Sequence, residues 1–400
     1  MLEYLLQHWI LISVIILTLV ILWAFAVLSK YVRLLLNIFR DTPPPLMRRH
    51  FDYEHLEGHH VNFRAFDGTS LRGMFLSRNL LNLSLPDGSL AENGSPKNGD
   101  NGHFLNSDTR GVIIFCHEFG ADMYSCSRYC LPLLQAGFDI FTFDFRSHGQ
   151  SSLLPGYNPW HWCTDKEVSD CLGALAYVRA ELEDRELPVK IGLFGISRGA
   201  GAAIMTASHH HSASLIHAVL ADSAFSTDTT IEWLMKKWVH IFAKVRFVYE
   251  NHQPFFWHFL RWLVLIFAGV RFHCKFPSAR KALKRFKNTP IFFIHGLKDS
   301  YIRPEQAQSL YNTASDPRQL WLVPHAKHNH AVATDPRQYA QRTVTFFETY
   351  LSPDKKSIHV DKEQKVSTII SSDRSLCRSH YQATPPTVPE KSAPVSSNSG

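Results

Sequence analysis

Residues 190–205 read Lys190-Ile191-Gly192-Leu193-Phe194-Gly195-Ile196-Ser197-Arg198-Gly199-Ala200-Gly201-Ala202-Ala203-Ile204-Met205. A mostly apolar run ends in the pentapeptide Gly-x-Ser-x-Gly, and small helix-compatible residues follow at once. The run reads as a strand and the stretch after Ser197 as a helix, so the serine sits on the turn between them. A turn that tight strains the serine backbone, and the flanking glycines avoid clashes. The helix N-terminus behind Ser197 favours negative charge developing nearby. Ser197 is therefore the candidate nucleophile.

Working outward, short apolar runs recur at 61–66, 71–77, 111–117, 139–145, 189–196, 218–224, 290–296 and 318–324. From the third onward they are continuous rather than alternating, the pattern of strands buried on both faces of a parallel sheet. Helical patterns at 125–136, 166–183, 198–208, 304–312 and 338–351 separate most of them. The first two runs flank Asp67-Gly68, a hairpin signal. The expected fold class is α/β: a mostly parallel eight-stranded sheet flanked by helices, with an antiparallel start.

Four segments fall outside that alternation. Residues 1–40 contain Trp9 to Leu28, twenty consecutive residues without a charge, enough for about 30 Å of helix and hence for a membrane anchor. Glu3 precedes this run and no Lys or Arg does, unlike a secretory signal, although Ala24-Phe25-Ala26 resembles a cleavage site. Lys30, Arg33 and Arg40 follow it, which predicts a single-pass protein with the rest of the chain on the cytoplasmic side. Residues 79–110, rich in Asn, Gly, Ser and Asp, read as a flexible insertion. Residues 353–400 read as a disordered tail. The α/β core is expected at 41–225 and 290–352.

The remaining segment, 226–289, reads as a helical cap. It holds twelve Lys or Arg against three acids, a net +9 where the whole chain is +7. It also carries fourteen of the chain's fifty aromatics, among them Trp233, Trp238, Phe242, Trp257, Phe259 and Trp262. Basic, aromatic-rich helices of this kind suit a membrane interface, or pack their aromatics onto a core with the lysines in water. No nucleic-acid recognition motif accompanies the charge. Overall, 45% hydrophobic and 19% charged residues exclude a chain dominated by disorder. The seven cysteines show no disulfide or metal spacing, which favours a reducing compartment.

A serine hydroxyl attacks only if a base takes its proton and an acid orients that base. Asp299 follows the run Ile291-Phe292-Phe293-Ile294-His295-Gly296; Asp222, at the end of the preceding strand, is the other candidate acid. Three histidines, His325, His328 and His330, follow Leu320-Trp321-Leu322-Val323-Pro324 as candidate bases. No acidic or thiol co-ligand motif accompanies them, so neither a metal nor a cofactor is expected.

With the loop Cys116-His117-Glu118-Phe119-Gly120, the stretch Asp144-Phe145-Arg146-Ser147-His148-Gly149, the Ser197 pentapeptide, His295-Gly296-Leu297-Lys298-Asp299 and Ala326-Lys327-His328-Asn329 in this order, the chain resembles the α/β hydrolases. The resemblance covers roughly residues 51–351, apart from the insertion and the cap. It implies oxyanion donors at the backbone N–H groups of Phe119 and Arg198, and it implies His328 as the base. It departs at Glu118, where the family usually has Gly. A carboxylate beside an oxyanion hole opposes the developing charge unless it is turned away, paired (Arg198, next to the nucleophile, being a candidate partner) or protonated. The expected activity is hydrolysis of a carboxylic ester, apolar or lipid-like, through an acyl-enzyme. Amide or thioester hydrolysis, or a retired hydrolase fold serving as a membrane-bound interaction module, are the alternatives.

Overall fold

The computed structural model describes residues 2–40, 54–78, 105, 109–157, 161–210, 212–242 and 253–351. Helix α1 spans Leu2–Arg40. Strands β1 (His59–Arg64) and β2 (Ser70–Leu76) form the expected hairpin, with His59 opposite Phe75 and Arg64 opposite Ser70. Gly68 turns it with φ +89°. Then follow β3 (Val112–Cys116), α2 (Cys126–Gln135), β4 (Asp139–Phe143), α3 (Asp165–Asp184), β5 (Ile191–Ile196), α4 (Arg198–Ala207) and β6 (Ile216–Asp222). The cap contributes α5 (Thr227–Phe242), α6 (Pro254–Phe272) and α7 (Ala279–Leu283). The chain returns through β7 (Ile291–Gly296), α8 (Pro304–Thr313), β8 (Arg318–Val323), α9 (Ala331–Thr334) and α10 (Pro336–Leu351).

The eight strands form one sheet in the order β1-β2-β4-β3-β5-β6-β7-β8. Only the β1–β2 and β2–β4 pairings are antiparallel; from β4 to β8 all are parallel. Continuous apolar strands arise because helices cover both faces. Ile114, Val219 and Phe293 join a core with residues of α3 and α4, while their neighbours Ile113, Phe115, Leu220 and Phe292 join a second core with α2 and α10. Side chains alternate along a strand, yet both sets are dry, so no polar alternation survives in the sequence.

Two expected boundaries need comment. Leu105, inside the segment read as a surface insertion, is 4% exposed and belongs to the first core, so the chain is already tied down before β3. The rest of 79–108 and all of 352–400 lie outside the described residues, and with them the expectations of flexibility and disorder. A third apolar cluster links Val32 and Leu35 of α1 to Met235 of α5, Trp257, Leu260, Val264 and Ala268 of α6, and Trp162, Phe225 and Ile302 of the α/β body.

Candidate active site

Ser197 is held between β5 and α4 at φ 53°, ψ −112°, a region costing a non-glycine residue on the order of 1–3 kcal/mol. Its N–H donates to the Asp222 carbonyl at 2.8 Å, fixing the turn against β6. A Cβ on Gly195 would collide with Gly199 and Ala200, and one on Gly199 with the carbonyls of Cys116 and His117. The glycines thus let the turn close and let β3 abut the start of α4.

The three side chains meet in a line. Ser197 Oγ lies 2.9 Å from His328 Nε2, and His328 Nδ1 lies 2.6 Å from Asp299 Oδ2. The other oxygen of Asp299 accepts from the Tyr301 and Ile302 N–H groups at 2.9 and 2.8 Å. Burial alone would push the Asp299 carboxyl up. The His328 charge and hydrogen bonds from His295 and His328 outweigh burial and hold the carboxyl well below the usual range. His328 Nδ1–H then donates to a carboxylate, which leaves Nε2 as the acceptor facing Ser197.

The competing residues point elsewhere. Asp222 accepts from Ser223 Oγ at 2.9 Å and from the Tyr339 hydroxyl at 2.8 Å, and burial raises its pKa. His325 and His330 are exposed, whereas His328 is half-buried. Positive φ at His325 (63°) and Asn329 (56°) bends the chain on either side of His328. The Asn329 N–H is pinned to Ser223 Oγ at 3.2 Å.

The β3 loop carrying Phe119 is built on a neutral histidine. His117 Nε2 accepts from the Phe145 N–H at 3.2 Å, so its Nδ1–H donates to the Glu118 carbonyl at 2.7 Å. Burial, helped by Arg198, lowers the His117 pKa to about 3. The Arg198 guanidinium lies 5.3 Å from the centre of the Phe119 ring and 5.2 Å from that of Phe145. The close approach of Gly199 to the Cys116 and His117 carbonyls makes the segments bearing the two expected oxyanion donors, Phe119 and Arg198, neighbours.

Glu118 does not pair with Arg198. Arg198 is fully buried and is directed to His148 Nε2 at 3.1 Å and Glu167 Oε1 at 3.7 Å. The Glu118 carboxyl instead accepts from the Tyr129 hydroxyl at 3.3 Å, while its Oε2 is buried without a hydrogen-bond partner. Burial raises its pKa against the smaller opposing effects of its own N–H, Arg128 and Tyr129. A carboxyl so placed is protonated more readily than an ordinary one, and it points toward α2.

Several site residues went unassigned in the sequence. His295 Nε2 lies 3.1 Å from Asp299 Oδ2 and 2.8 Å from the Ile302 carbonyl. Tyr301 packs edge-on against His328 at 5.2 Å, and His161 bridges Tyr301, Trp162 and Phe119 at 6.1, 4.4 and 6.2 Å. Trp162 in turn packs against Phe225 at 5.9 Å. His295 was visible within the motif ending at Asp299, but no periodicity links the end of a strand to a loop. His161 and Trp162 lie in a loop with no pattern to mark them.

A family model described as "Serine aminopeptidase, S33" matches residues 107–252, from before β3 into the cap. Together with the strand order and the serine turn, that match settles the architecture. The fold is that of the α/β hydrolases. Two bacterial relatives, both of uncharacterised function, align with it. The YqkD protein of Bacillus subtilis is 24% identical over 247 residues, 62% of this chain and 74% of its own. The YfhR protein of Escherichia coli O157:H7 is 24% identical over 294 residues, 73% of this chain and 81% of its own. Among solved structures, the Pyrococcus furiosus esterase Pf2001 is 19% identical with a TM-score of 0.48, covering 78% of this chain and 95% of that one. The α/β hydrolase GrgF from Penicillium sp. sh18 is 13% identical with a TM-score of 0.49, covering 74% and 100%.

Proposed function

We propose that the chain is a membrane-tethered serine hydrolase that cleaves a carboxylic ester bearing an apolar acyl group. The observation that carries this reading is the relay from Ser197 Oγ to His328 Nε2 at 2.9 Å and from His328 Nδ1 to Asp299 at 2.6 Å. In the forward step His328 takes the Ser197 proton as Oγ attacks the ester carbonyl, and the Phe119 and Arg198 N–H groups receive the oxyanion. His328 then gives the proton to the leaving alkoxide, which departs as the alcohol. Water, deprotonated by the same imidazole, releases the acid and restores Ser197. One oxyanion donor supplies about 3 kcal/mol of such a barrier.

Apolar packing beside the site, with Trp162 against His161 and Phe225 and with Ile302 next to Tyr301, supports an apolar acyl group. An aminopeptidase would need a carboxylate for the substrate ammonium, and the acids at hand are engaged. Asp299 is bound to His328, Tyr301 and Ile302, and Glu167 accepts from Thr164 at 2.8 Å and Tyr157 at 2.6 Å. The tether is His8–Lys30, 23 residues of α1 that are long and apolar enough to cross a bilayer. The basic residues after it, Lys30, Arg33 and Arg40, favour a catalytic body on the cytoplasmic side.

A fluorophosphonate probe on the full-length protein in detergent tests the nucleophile. Wild type labels and hydrolyses p-nitrophenyl esters, with turnover rising with acyl length. Ser197→Ala and His328→Ala lose labelling and about 10⁴-fold or more of turnover while remaining folded. Turnover by Ser197→Ala above a tenth of wild type would refute the assignment.

A further inference from the structure

Helix α6 has two apolar faces. Trp257, Leu260, Val264 and Ala268 are buried in the cluster shared with α1, α5 and the catalytic body. On the opposite side Phe255, Phe259, Trp262, Ile266 and Val270 recur at spacings of four, three, four and four residues, one continuous stripe of a 3.6-residue helix. They are 72%, 49%, 55%, 43% and 71% exposed. A contiguous apolar surface of this kind needs a cover.

Its distance from the membrane span is set by α1. The α1 side chains buried in the shared cluster are Val32 and Leu35, two and five residues beyond Lys30, where the apolar segment ends. At 1.5 Å per residue they lie about 3–8 Å past that point. The headgroup layer on each side of a bilayer is roughly 5–8 Å deep. A helix packed there sits at headgroup depth. Lys281, Lys284, Arg285 and Lys287, all exposed, follow in the same cap and suit anionic headgroups.

Resting on the membrane-tether and serine-nucleophile reading above, we infer that the outer stripe of α6 docks into the bilayer that holds α1, and that the substrate is a lipid ester drawn from that bilayer. The cluster that buries the inner face of α6 is continuous with Trp162, Phe225 and Ile302. Ile302 neighbours Tyr301, whose ring packs on His328 at 5.2 Å. The apolar cluster therefore runs from α1 to the Tyr301 ring beside His328.

The test uses the full chain in vesicles of phosphatidylcholine and phosphatidylglycerol, in a Cys377→Ser background. An environment-sensitive fluorophore is attached through Phe255→Cys, Val270→Cys or, as a control on α3, Arg179→Cys. The inference expects blue-shifted emission at 255 and 270 that nitroxide-labelled lipids quench, with position 179 aqueous. Positions 255 and 270 as aqueous as 179 would overturn it. So would protection that ignores the quencher and disappears on dilution, because a second copy would then be the cover. In parallel, Phe259→Ser/Trp262→Ser/Ile266→Ser should lower turnover of a vesicle-embedded long-chain ester about tenfold or more, while fluorophosphonate labelling and p-nitrophenyl acetate turnover stay at wild-type rates. Unchanged vesicle turnover refutes delivery from the bilayer. If wild type fails to label, the serine assignment falls while the fluorophore still decides the docking.

Discussion

Asp299, beyond β7, and Glu118, beyond β3, are carboxyls at the same end of one sheet, 4% and 2% exposed, yet they are pushed in opposite directions. Burial disfavours the charge on both. Asp299 is offered His328, His295 and two backbone N–H groups, and these hold it ionised. Glu118 is offered its own N–H, a nearby Arg128 and the Tyr129 hydroxyl at 3.3 Å, with no hydrogen-bond partner for Oε2, so burial prevails and its pKa rises. Asp222, with Ser223 and Tyr339 as partners, sides with Glu118. The ionisation of a buried acid is thus set by its donors, and separating two acids in this way leaves the charged one against His328.

The largest effect that sharpens this contrast is Asp299→Asn. It removes the acceptor that fixes the His328 tautomer and should cost about 10⁴-fold in kcat. Asp222→Asn should cost less than about tenfold, because an amide can still accept from the Tyr339 hydroxyl and Ser223 can rotate to accept from its NH₂. Ester kinetics on the two purified variants decide the matter. Comparable losses would mean that Asp222 shares the orienting role and that the contrast is false.

Glu118→Gln supplies a smaller effect, read in stability against pH. A carboxyl whose pKa is higher folded than unfolded contributes stability that is fully present below its unfolded pKa of about 4.3. That contribution is lost as pH rises through the raised folded value, because the native state then holds more protons than the unfolded one. Glutamine keeps the neutral form at every pH. The variant should therefore match wild type near pH 4 and exceed its melting temperature by a few °C, roughly, at pH 8. A melting temperature that falls below wild type at pH 8 would show that Glu118 works as a carboxylate. Asp299 has the opposite sign. Its depressed pKa contributes stability above an unfolded value of about 3.9, which is lost as the medium is acidified through the folded value.

The smallest effect separates the histidines. His325→Ala and His330→Ala should keep turnover within about twofold of wild type, as exposed side chains outside the relay to Asp299. A dead His330 variant would move the base two residues along the chain.

These residues also divide what local sequence can specify from what it cannot. The strands and the elbow were legible because burial on both faces writes continuous apolar runs, and because a strand-to-helix turn with no room for Cβ atoms demands glycine at 195 and 199. Gly195-Ile196-Ser197-Arg198-Gly199 therefore announced both the α/β fold and the serine. The cap was legible as basic and aromatic, but its composition is compatible with either burial or exposure of the aromatics. Packing against α1 and α5 assigned Trp257 to the inside and Trp262 to the outside.

Ser197 followed from the chain alone, as did the candidate acids and histidines as a set. Tertiary structure brought Asp299 and His328 into line with Ser197. Two left-handed residues, His325 and Asn329, flank His328, which is half-buried while His325 and His330 are exposed, and Asp222 is held by Tyr339 instead of by His328. Folding also placed His295 on Asp299, sent Arg198 to Glu167 and His148, and buried Glu118 against Tyr129. The reason is physical. Periodicity records whether a side chain meets water or core, whereas a hydrogen bond between residues 29 or 131 positions apart depends on where folding brings two strand ends together.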